Sequence, residues 1–589
     1  MSTAYQAPLA AQRLAIDQAC RATGLGAQPA VAETLRDVAD AVLEGAARFA
    51  GEVLSPLNPI GDRSASRHDA GRVITPPGFP DAYRRFWSDG WTSLGAPPEY
   101  GGQGLPLVVS AAATEMWAGA NLSFAMCPEV AVGAIEALRV HGSPALRGAW
   151  LPHLVRGDWT ASMCLTEPQA GSDLSTLRTR AEPDGDTWRL FGRKIYISWG
   201  DHDLADNIVH LVLARARGAP EGTRGLSLFL VPKRLPDPAG GGPANDVDVL
   251  SLEHKMGIRA SPTCALALGE RVGARGWLVG ELNSGLACMF TMMNHMRLGV
   301  GLHSLGLAER ALQLAREHAH TRRQGRTAAG ADRPIIEHAD VRRMLLTMKA
   351  LVHAARGLCY TAAASIDLAH GAADEAARTR AANAAGLLTP LVKAWCSDLA
   401  VEVASLGVQI HGGMGYIDDC EASQIYRDAR IGPIFEGTNY IQAQDLLGRK
   451  VLRDRGATLE ALIADIERSA DTLPLGEHGL GMLRTQLARG CLGLRRATRI
   501  LIDRDGDDPN LLGAIGHHFL QWLGTLAGGW QWALTAAAAL PGAARDPQAR
   551  ALVDTASFYA AHVLPRAGMH EAIVNRGAGP VTDAALAEL

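Results

Sequence analysis

The chain has 589 residues, a formal net charge of −4 at pH 7 and a hydrophobic content of 47%. A chain of this length is larger than one hydrophobic core supports, so we expect several domains. The small negative charge gives no electrostatic basis for binding nucleic acid or an anionic membrane. Nine cysteines are present without a Cys-x-x-Cys pair, which favours reduced thiols and a cytoplasmic protein. The N-terminal residues show neither a secretion signal nor a membrane span.

The apolar pattern changes along the chain and predicts four domains. A helical pattern gives way to short apolar runs typical of strands, and the helical pattern then returns. The last segment contains 11 Arg, no Lys and 14 acidic residues, a net charge of −3 (11 minus 14), so it is not a basic tail. We therefore expect a mainly α fold with a central β domain. The predicted domains are an N-terminal helical domain (1–160), a β domain (161–285), a second helical domain (286–455) and an additional C-terminal helical domain (456–589).

Individual helices and strands follow from the same spacing. Apolar residues at helical intervals predict helical structure over Val31–Phe49 and a long helix from about residue 286. Strands are predicted where apolar runs are bounded by Gly, Pro or Asp. These runs are Trp188–Ser198, Ile208–Ala214 and Leu226–Val231.

The segment Arg427–Gln442 is the most informative part of the sequence. It places one carboxylate, Glu436, beside a Gly-Thr step at the end of an apolar run. A carboxylate held in a dry pocket has a raised pKa and can remove a proton from carbon. A single Glu is more often a surface or helix-capping residue, so the neighbouring motifs decide between these interpretations. The first of them, His411–Tyr416, is a glycine-rich turn that lets a cofactor approach the backbone closely.

Four further motifs lie upstream in a fixed order. They are Met163–Asp173, Gly192–Gly200, Glu253–Thr263 and Ala319–Arg326. With the His411 and Glu436 segments they resemble the acyl-CoA dehydrogenase family. The additional C-terminal domain makes the chain similar to the long branch of that family.

The resemblance implies that the β domain is β-barrel-like and that residues 286–455 form a four-helix bundle. It also implies an FAD-dependent desaturase of acyl-CoA thioesters. Glu436 would take the α-proton while the β-hydrogen leaves as hydride to the flavin, giving a trans-2-enoyl-CoA. An electron-transferring flavoprotein would then accept the electrons. The implied substrate is a fatty acyl-CoA or 3-methylthiopropionyl-CoA, and its chain length stays open because the residues facing the acyl tail are not identified by the sequence.

The resemblance also assigns residues of the β domain. It places the hydroxyls of Thr166 and Ser198 against the isoalloxazine ring, where donors stabilise reduced flavin. Tyr196 falls where many relatives carry a Trp beside the flavin, and Ser172 where relatives have a serine near the flavin or the CoA pantetheine. Arg297 matches an active-site arginine. The residue three before it is Asn294, where several relatives have Asp.

In the helical bundle, the resemblance implies contacts to two cofactors. One set of residues would contact the FAD of a neighbouring subunit, so a homodimer is expected. A second set would contact the subunit's own FAD, and the Glu436–Gly437 step would bind the thioester oxygen. The first set is Arg322, Gln324, Gln409, Gly412 and Gly413, and the second is Thr438 and Gln442.

Three alternatives stay open or are disfavoured by the sequence. An acyl-CoA oxidase on the same fold is not distinguished from a dehydrogenase. A nucleic-acid-binding flavoprotein of the alkylation-response type would need a basic C-terminal face, whereas residues 456–589 are acidic. A non-catalytic subunit would be expected to lose the base. No motif predicts a metal site.

Overall fold

The computed structural model describes residues 4–237, 242–327, 330–476, 479–504, 506, 508–579 and 581. The predicted fold class is confirmed, since the chain is mainly helical with a central mixed sheet. Two compact units are present. The first comprises Met1–Glu44, Leu107–Glu115 and Val300–Leu589, and the second comprises Gly45–Pro106 and Met116–Gly299.

The α-helices lie on both sides of the sheet-forming segment in the sequence. In chain order they are α1 (Leu9–Thr23), α2 (Pro29–Asp37), α3 (Ala39–Phe49), α4 (Ser55–Ser64), α5 (Phe79–Ser88), α6 (Leu107–His141), α7 (Pro144–Arg156), α8 (Gly285–Thr321), α9 (Ala339–Gly371), α10 (Glu375–His411), α11 (Glu421–Ala429), α12 (Asn439–Gln444), α13 (Ala457–Asp471), α14 (Leu480–Asp503), α15 (Leu511–Ala539), α16 (Pro547–His562) and α17 (Arg566–Arg576).

The strands form one large sheet and two short hairpins. They are β1 (Arg67–Asp69), β2 (Arg72–Ile74), β3 (Trp159–Cys164), β4 (Arg180–Asp184), β5 (Thr187–Ser198), β6 (Asn207–Ala216), β7 (Leu226–Pro232), β8 (Val247–Leu252), β9 (Thr263–Leu268), β10 (Ala274–Val279), β11 (Arg326–Thr327) and β12 (Gly330–Ala331). Strands β5, β6 and β7 confirm the three strands predicted from the sequence.

The sheet of the second unit closes on itself. Its order is β10-β7-β6-β4-β5-β9-β8, and β10 also pairs with β5. Strands β5, β4, β6, β7 and β10 therefore form a closed ring, which is the barrel-like arrangement predicted, and β9 and β8 extend the sheet from β5. Strand β3 joins this ring by parallel pairing with β6. The inward side chains are almost fully buried and form the core of the ring, for example Leu190, Ile197, Phe229 and Leu266.

Two local features were not predicted. The helical segment predicted over Val31–Phe49 is formed by two helices, because the backbone leaves the helical region at Val38 (φ −124°). The apolar spacing is similar on both sides of Val38, so the pattern alone could not show the break. The N-terminal region also contains the β1–β2 hairpin. Its turn uses positive φ at Ala70 (47°) and Gly71 (79°), a conformation that glycine adopts readily.

Among the described residues, one helix, α6, is long and apolar enough to cross a membrane by length and composition alone. The most apolar window of α6 is 94% buried inside the protein. This burial is typical of the core helix of a folded domain.

In the first unit, a buried ionic network joins α6, α8 and α9. Arg356 is 2% exposed, and its Nη2 lies 2.7 Å from Glu115 Oε1 and 2.8 Å from Glu309 Oε2. The hydroxyl of Tyr360 donates to Glu115 Oε2 over 2.5 Å. A buried charge is tolerated when it is paired and hydrogen-bonded in this way.

The additional C-terminal helices pack on the bundle through α15. The α15 side chains Phe519, Trp522 and Leu523 are fully buried. Close approach to α10 depends on Gly524, where a Cβ atom would lie 2.4 Å from Cδ1 of the buried Trp395. The apolar side chains of α15 are therefore covered within the same chain.

We predict that Gly524→Ala destabilises the protein. The added methyl group overpacks the contact with Trp395 at a cost of roughly 1–3 kcal/mol, more than the roughly 1 kcal/mol that Ala gains over Gly in a helix. Thermal unfolding should show a lower midpoint than wild type. The control Gly568→Ala lies in α17, where a Cβ atom meets nothing within 4 Å, and should leave the midpoint unchanged or raise it. A Gly524→Ala variant as stable as Gly568→Ala would contradict the packing described.

Candidate active site

The predicted site residues fall in both compact units, and each group is described in its own unit. The segment that carries Glu436 belongs to the first unit and lies between α11 and α12. Glu436 has a left-handed backbone (φ 57°) and so does Gly437 (φ 82°). For a non-glycine residue this conformation costs about 1–3 kcal/mol and persists only where the surroundings fix it. The segment is therefore held in place by other contacts.

Side chains that follow Glu436 supply some of these contacts. Gln442 is fully buried, and its Nε2 donates to the carbonyl oxygens of Glu436 and Gly437, each over 3.2 Å. The hydroxyl of Thr438 accepts from the amide of Ile441 over 3.3 Å and caps α12. Two predicted cofactor residues, Thr438 and Gln442, thus also shape the turn that presents Glu436.

The strongest anchor is Asn439, which the sequence did not single out. Its Oδ1 accepts from the buried Lys393 Nζ over 2.9 Å, and its Nδ2 donates to Asp398 Oδ1 over 2.8 Å. The Nδ2 also donates to the hydroxyl of Ser397 and to the carbonyl of Ala394. All four partners lie on α10, so Asn439 fixes the Glu436 segment to one long helix.

The first unit contains two further predicted elements, the Ala319–Arg326 motif and the glycine-rich turn His411–Tyr416. They meet where α8 and α10 end. The rings of His318 and His411 stack with centroids 4.4 Å apart and an interplanar angle of 24°. The carbonyl of His318 accepts from the amide of Arg322 over 2.8 Å. His411 directly precedes Gly412, whose amide donates to the carbonyl of Gln409. Burial, and then the charges of His411 and Arg322, lower the pKa of His318, which favours the neutral ring.

The surroundings of these elements suit a large phosphorylated ligand. The side chains of Arg322, Gln324 and Gln409 are exposed, and Arg322 makes no ion pair with any described residue. A Cβ atom at Gly412 or Gly413 would meet nothing within 4 Å, so space is open beside the turn. An exposed guanidinium beside such a turn can bind a pyrophosphate.

Gln442 was predicted to contact the FAD of its own subunit, and its side chain offers a polar atom for such a contact. Its Oε1 is buried and has no hydrogen-bond partner within the part of the chain that the structure describes. A buried acceptor of this kind is costly unless a ligand or water satisfies it. Gln442 therefore fits the predicted role as a ligand contact, in addition to its two bonds to the Glu436 turn.

In the second unit, the structure brings three of the predicted motifs together. The amide of Ile195 donates to the carbonyl of Thr166 over 2.9 Å, and Ser198 pairs with Thr263 across β5 and β9. A bulge in β5 between Lys194 and Ile197 gives Tyr196 a positive φ of 59°. The Tyr196 side chain is 61% exposed as a result. Thr166, Tyr196 and Ser198 are thus grouped on neighbouring segments.

Ser172 and Arg297 lie in different settings. Ser172 is on an exposed loop, and the neighbouring turn is capped by Asp173, whose Oδ1 accepts from the amide of Ser175 over 2.8 Å. Helix capping therefore does not explain Ser172. Arg297 is 3% exposed and donates from Nη1 to Asn294 Oδ1 over 3.2 Å, with its guanidinium 5.7 Å from the centre of the Phe290 ring. Asn294, which stands where several relatives have Asp, is therefore a direct partner of Arg297.

The sequence analysis also missed a buried lysine that bonds the residues on both sides of Thr166. Lys194 is fully buried, and its Nζ donates to Leu165 O (2.9 Å), Glu167 Oε1 (2.9 Å) and Leu213 O (2.8 Å). Burial lowers the pKa of Lys194 to about 8, although Glu167 raises it. Burial would raise the pKa of Glu167, yet Lys194 and hydrogen bonds from Thr179 and Arg178 hold it at about 2. The residues on both sides of Thr166 are therefore fixed by one ammonium group.

No group of three or more His, Cys, Asp or Glu suited to a metal ion occurs among the described residues. The chemistry available in the first unit is that of a carboxylate beside a strained turn. In the second unit it is that of hydroxyls at strand ends, since Ser198 is the last residue of β5 and Thr166 follows β3 by two residues. Neither needs a metal for proton removal or for binding a flavin.

Comparison with known proteins identifies the relatives of the chain. Four domain families match: "Acyl-CoA dehydrogenase, N-terminal domain" over residues 36–158, "middle domain" over 162–270, "C-terminal domain" over 283–451, and "Acetyl-CoA dehydrogenase C-terminal like" over 457–585. The 3-methylmercaptopropionyl-CoA dehydrogenase of Ruegeria pomeroyi is 46% identical over 95% of this chain and 96% of that protein.

Solved structures show the same fold. Caenorhabditis elegans ACDH-11 in complex with C11-CoA has a TM-score of 0.79 at 21% identity, covering 96% of this chain and 92% of that chain. The Bacillus anthracis acyl-CoA dehydrogenase complexed with FAD has a TM-score of 0.74 at 22% identity, covering 91% of this chain and 88% of that chain. The architecture of the long branch is therefore shared over nearly the whole chain.

Proposed function

The chain belongs to the acyl-CoA dehydrogenase family, and we propose that Glu436 is the base with which it desaturates an acyl-CoA thioester to the trans-2-enoyl-CoA. The single observation that carries this proposal is the Glu436 turn, in which a strained carboxylate-bearing residue is fixed by Gln442 and Asn439. Strained backbone of this kind is concentrated at catalytic residues. FAD is the cofactor, and bound FAD supplies the acceptor for the hydride that leaves the β-carbon.

We assign roles to the chain's own residues from the family motifs in which they stand. The carboxylate of Glu436 takes the α-proton of the thioester, and the amide N–H of Glu436 donates to the thioester oxygen, where negative charge develops. Thr166 and Ser198 hydrogen-bond the isoalloxazine ring, Tyr196 packs beside it, and Ser172, Arg297 and Gly437 contact the substrate. The pyrophosphate and adenosine contacts fall to Arg322, Gln324, Gln409, Gly412, Gly413, Thr438 and Gln442.

The substrate is 3-methylthiopropionyl-CoA or a fatty acyl-CoA. The identity of 46% to the Ruegeria pomeroyi enzyme over 95% of the chain supports the first of these. Reduced enzyme passes its electrons to an electron-transferring flavoprotein. The protein is cytoplasmic, a location supported by nine free cysteines. Its domains divide as 1–160, 161–285, 286–455 and 456–589.

The function is tested by Glu436→Gln, which removes the proton-accepting charge and keeps the shape. We expect FAD and acyl-CoA binding to be retained and turnover to fall by about 10² to 10⁴-fold, the usual contribution of a general base. Turnover should be measured with ferrocenium over a panel containing 3-methylthiopropionyl-CoA and short, medium and long acyl-CoAs. Dioxygen in place of ferrocenium tests the oxidase alternative.

A matched control for this variant is Glu375→Gln, at the exposed first residue of α10. It removes one carboxylate from the same unit at a position away from the Glu436 turn, so its turnover should equal wild type. Near wild-type turnover of Glu436→Gln with every thioester would show that Glu436 is not the base.

Arg322→Ala should weaken FAD retention more than it changes folding, because it removes a charge-assisted contact to the pyrophosphate. The purified variant should show less flavin absorbance per protein after dilution, with an unchanged far-UV spectrum. The control is Arg323→Ala, which removes an adjacent guanidinium that already pairs with Asp332. Equal flavin content in both variants would make Arg322 an ordinary surface residue.

The active unit is proposed to be a dimer, since Arg322 and Gln409 are assigned to the FAD of a neighbouring subunit. The additional domain would cover the surface through which shorter relatives pair dimers into tetramers. Light scattering in dilute buffer should give about 125 kDa, twice the 62.3 kDa of one chain. A stable species of twice that dimer mass, or an active FAD-loaded monomer, would rule the assignment out.

A further inference from the structure

The carboxylate of Asp398 connects three helices of the first unit. Asp398 belongs to α10, and its Oδ1 accepts from Asn439 Nδ2 of α12 over 2.8 Å. Its other oxygen, Oδ2, accepts from Gln521 Nε2 of α15 over 2.6 Å. Residues 123 positions apart in the sequence are thus joined by a short hydrogen bond. One end of this chain of contacts lies in the additional C-terminal domain and the other at the Glu436 turn.

We propose that the additional domain helps to position the catalytic base, and that Gln521 is the positioning residue that acts through Asp398 and Asn439. The proposal rests on the proposed function, in which Glu436 is that base. It gives the 457–585 segment, which matches a separate domain family, a direct part in the reaction. Gln521 does not touch the reacting atoms in this proposal.

The first step of the argument concerns Asp398. Burial raises the pKa of its carboxyl group, while His517, the Asn439 amide, Lys393 and Arg430 lower it. A carboxylate in such surroundings depends on its hydrogen-bond donors to stay ionised. Gln521 is the donor to Oδ2. Without it, Oδ2 loses this donor, and a carboxyl group no longer fixed at Oδ2 can rotate, which weakens the bond from Asn439 Nδ2 to Oδ1.

The second step connects Asn439 with the base. Asn439 is three residues after Glu436, and its backbone amide donates to the carbonyl of Pro433 over 3.0 Å, so its bonds close the turn that contains Glu436. The left-handed backbone of Glu436 needs such closure, because it is unfavourable by itself. A change in the Asn439–Asp398 contact is therefore passed to the carboxylate of Glu436 through a few peptide units.

The third step concerns the rigidity of the support. α15 is buried along most of its length, and Gly524 brings it close to Trp395 on α10. Gln521 lies one turn before Gly524 on the same helix. Since α15 is fixed against α10 at this level, the Gln521 amide is presented to Asp398 by a rigid element rather than by a loop. Catalytic geometry is held more precisely by helices than by loops.

The test compares Gln521→Met with Gln531→Met in the full-length FAD-loaded protein. Both changes remove an amide from α15 and keep its shape. Gln531 bonds the hydroxyl of Thr361 on α9 over 3.4 Å instead of Asp398, so it controls for general loosening of the helix. Hydrogen–deuterium exchange of peptides covering residues 431–444 reads the order of the Glu436 segment without any substrate.

We expect faster exchange in residues 431–444 for Gln521→Met only. Its kcat should fall by at least about threefold, toward the roughly 10²-fold that a displacement of 1 Å can cost, with KM and flavin content close to wild type. Gln531→Met should keep both the exchange and kcat of wild type. Exchange and kcat that are unchanged in Gln521→Met, or changed equally in both variants, would overturn the proposal.

Gln521→Glu provides a second variant if Gln521→Met folds poorly. A protonated Glu can donate to Asp398, whereas an ionised Glu repels it, so kcat relative to wild type should be nearly restored at acidic pH and fall as the pH rises. The charged groups facing Asp398 are His517, Lys393 and Arg430, and both proteins carry them, so the ratio to wild type isolates the effect of position 521. A ratio independent of pH would contradict the proposal.

If Glu436→Gln keeps its turnover, the base assignment fails, while the exchange data still decide whether Gln521 orders the segment.

Discussion

The left-handed backbone of Glu436 is the constraint on which this part of the first unit depends. A left-handed glutamate costs about 1–3 kcal/mol, and a typical net hydrogen bond contributes about 0.5–1.5 kcal/mol. The two bonds from Gln442 and the four between Asn439 and α10 together exceed that strain and hold the turn. The carboxylate of Glu436 is thus placed by contacts that outweigh the strain of its own backbone.

This constraint makes α10 the central helix of the unit. It carries Lys393, Ser397 and Asp398, which hold Asn439, and it ends at His411, whose ring stacks on His318. The Glu436 turn and the glycine-rich turn that follows α10 are consequently tied to one rigid element. A shift of α10 would move both, so contacts that fix this helix, such as the Gly524–Trp395 packing, also help to fix both turns.

The sequence was sufficient for features encoded locally. Strand spacing predicted β5, β6 and β7, because each of these signals lies within a few residues. Glu436 was singled out only together with the other motifs in their fixed order, and its role stays a prediction. The contacts of Lys194 with Glu167 and of Gln521 with Asp398 were not predictable, since they link residues 27 and 123 positions apart. Whether two side chains meet over such separations depends on strand register and helix packing, which no local pattern specifies. The break at Val38 was missed for the opposite reason, because the local pattern continues across it.

Each unit uses a fully buried lysine behind its predicted reactive segment. Lys194 bonds the residues on both sides of Thr166, and Lys393 bonds the Asn439 that closes the Glu436 turn. An ammonium group offers three donors and no acceptor, so it can fix several carbonyl or carboxylate oxygens at once. Burying such a charge is unfavourable unless those oxygens are in place. The lysine therefore penalises any arrangement in which the segment it holds has moved, which is a physical means of keeping a reactive segment in a single conformation.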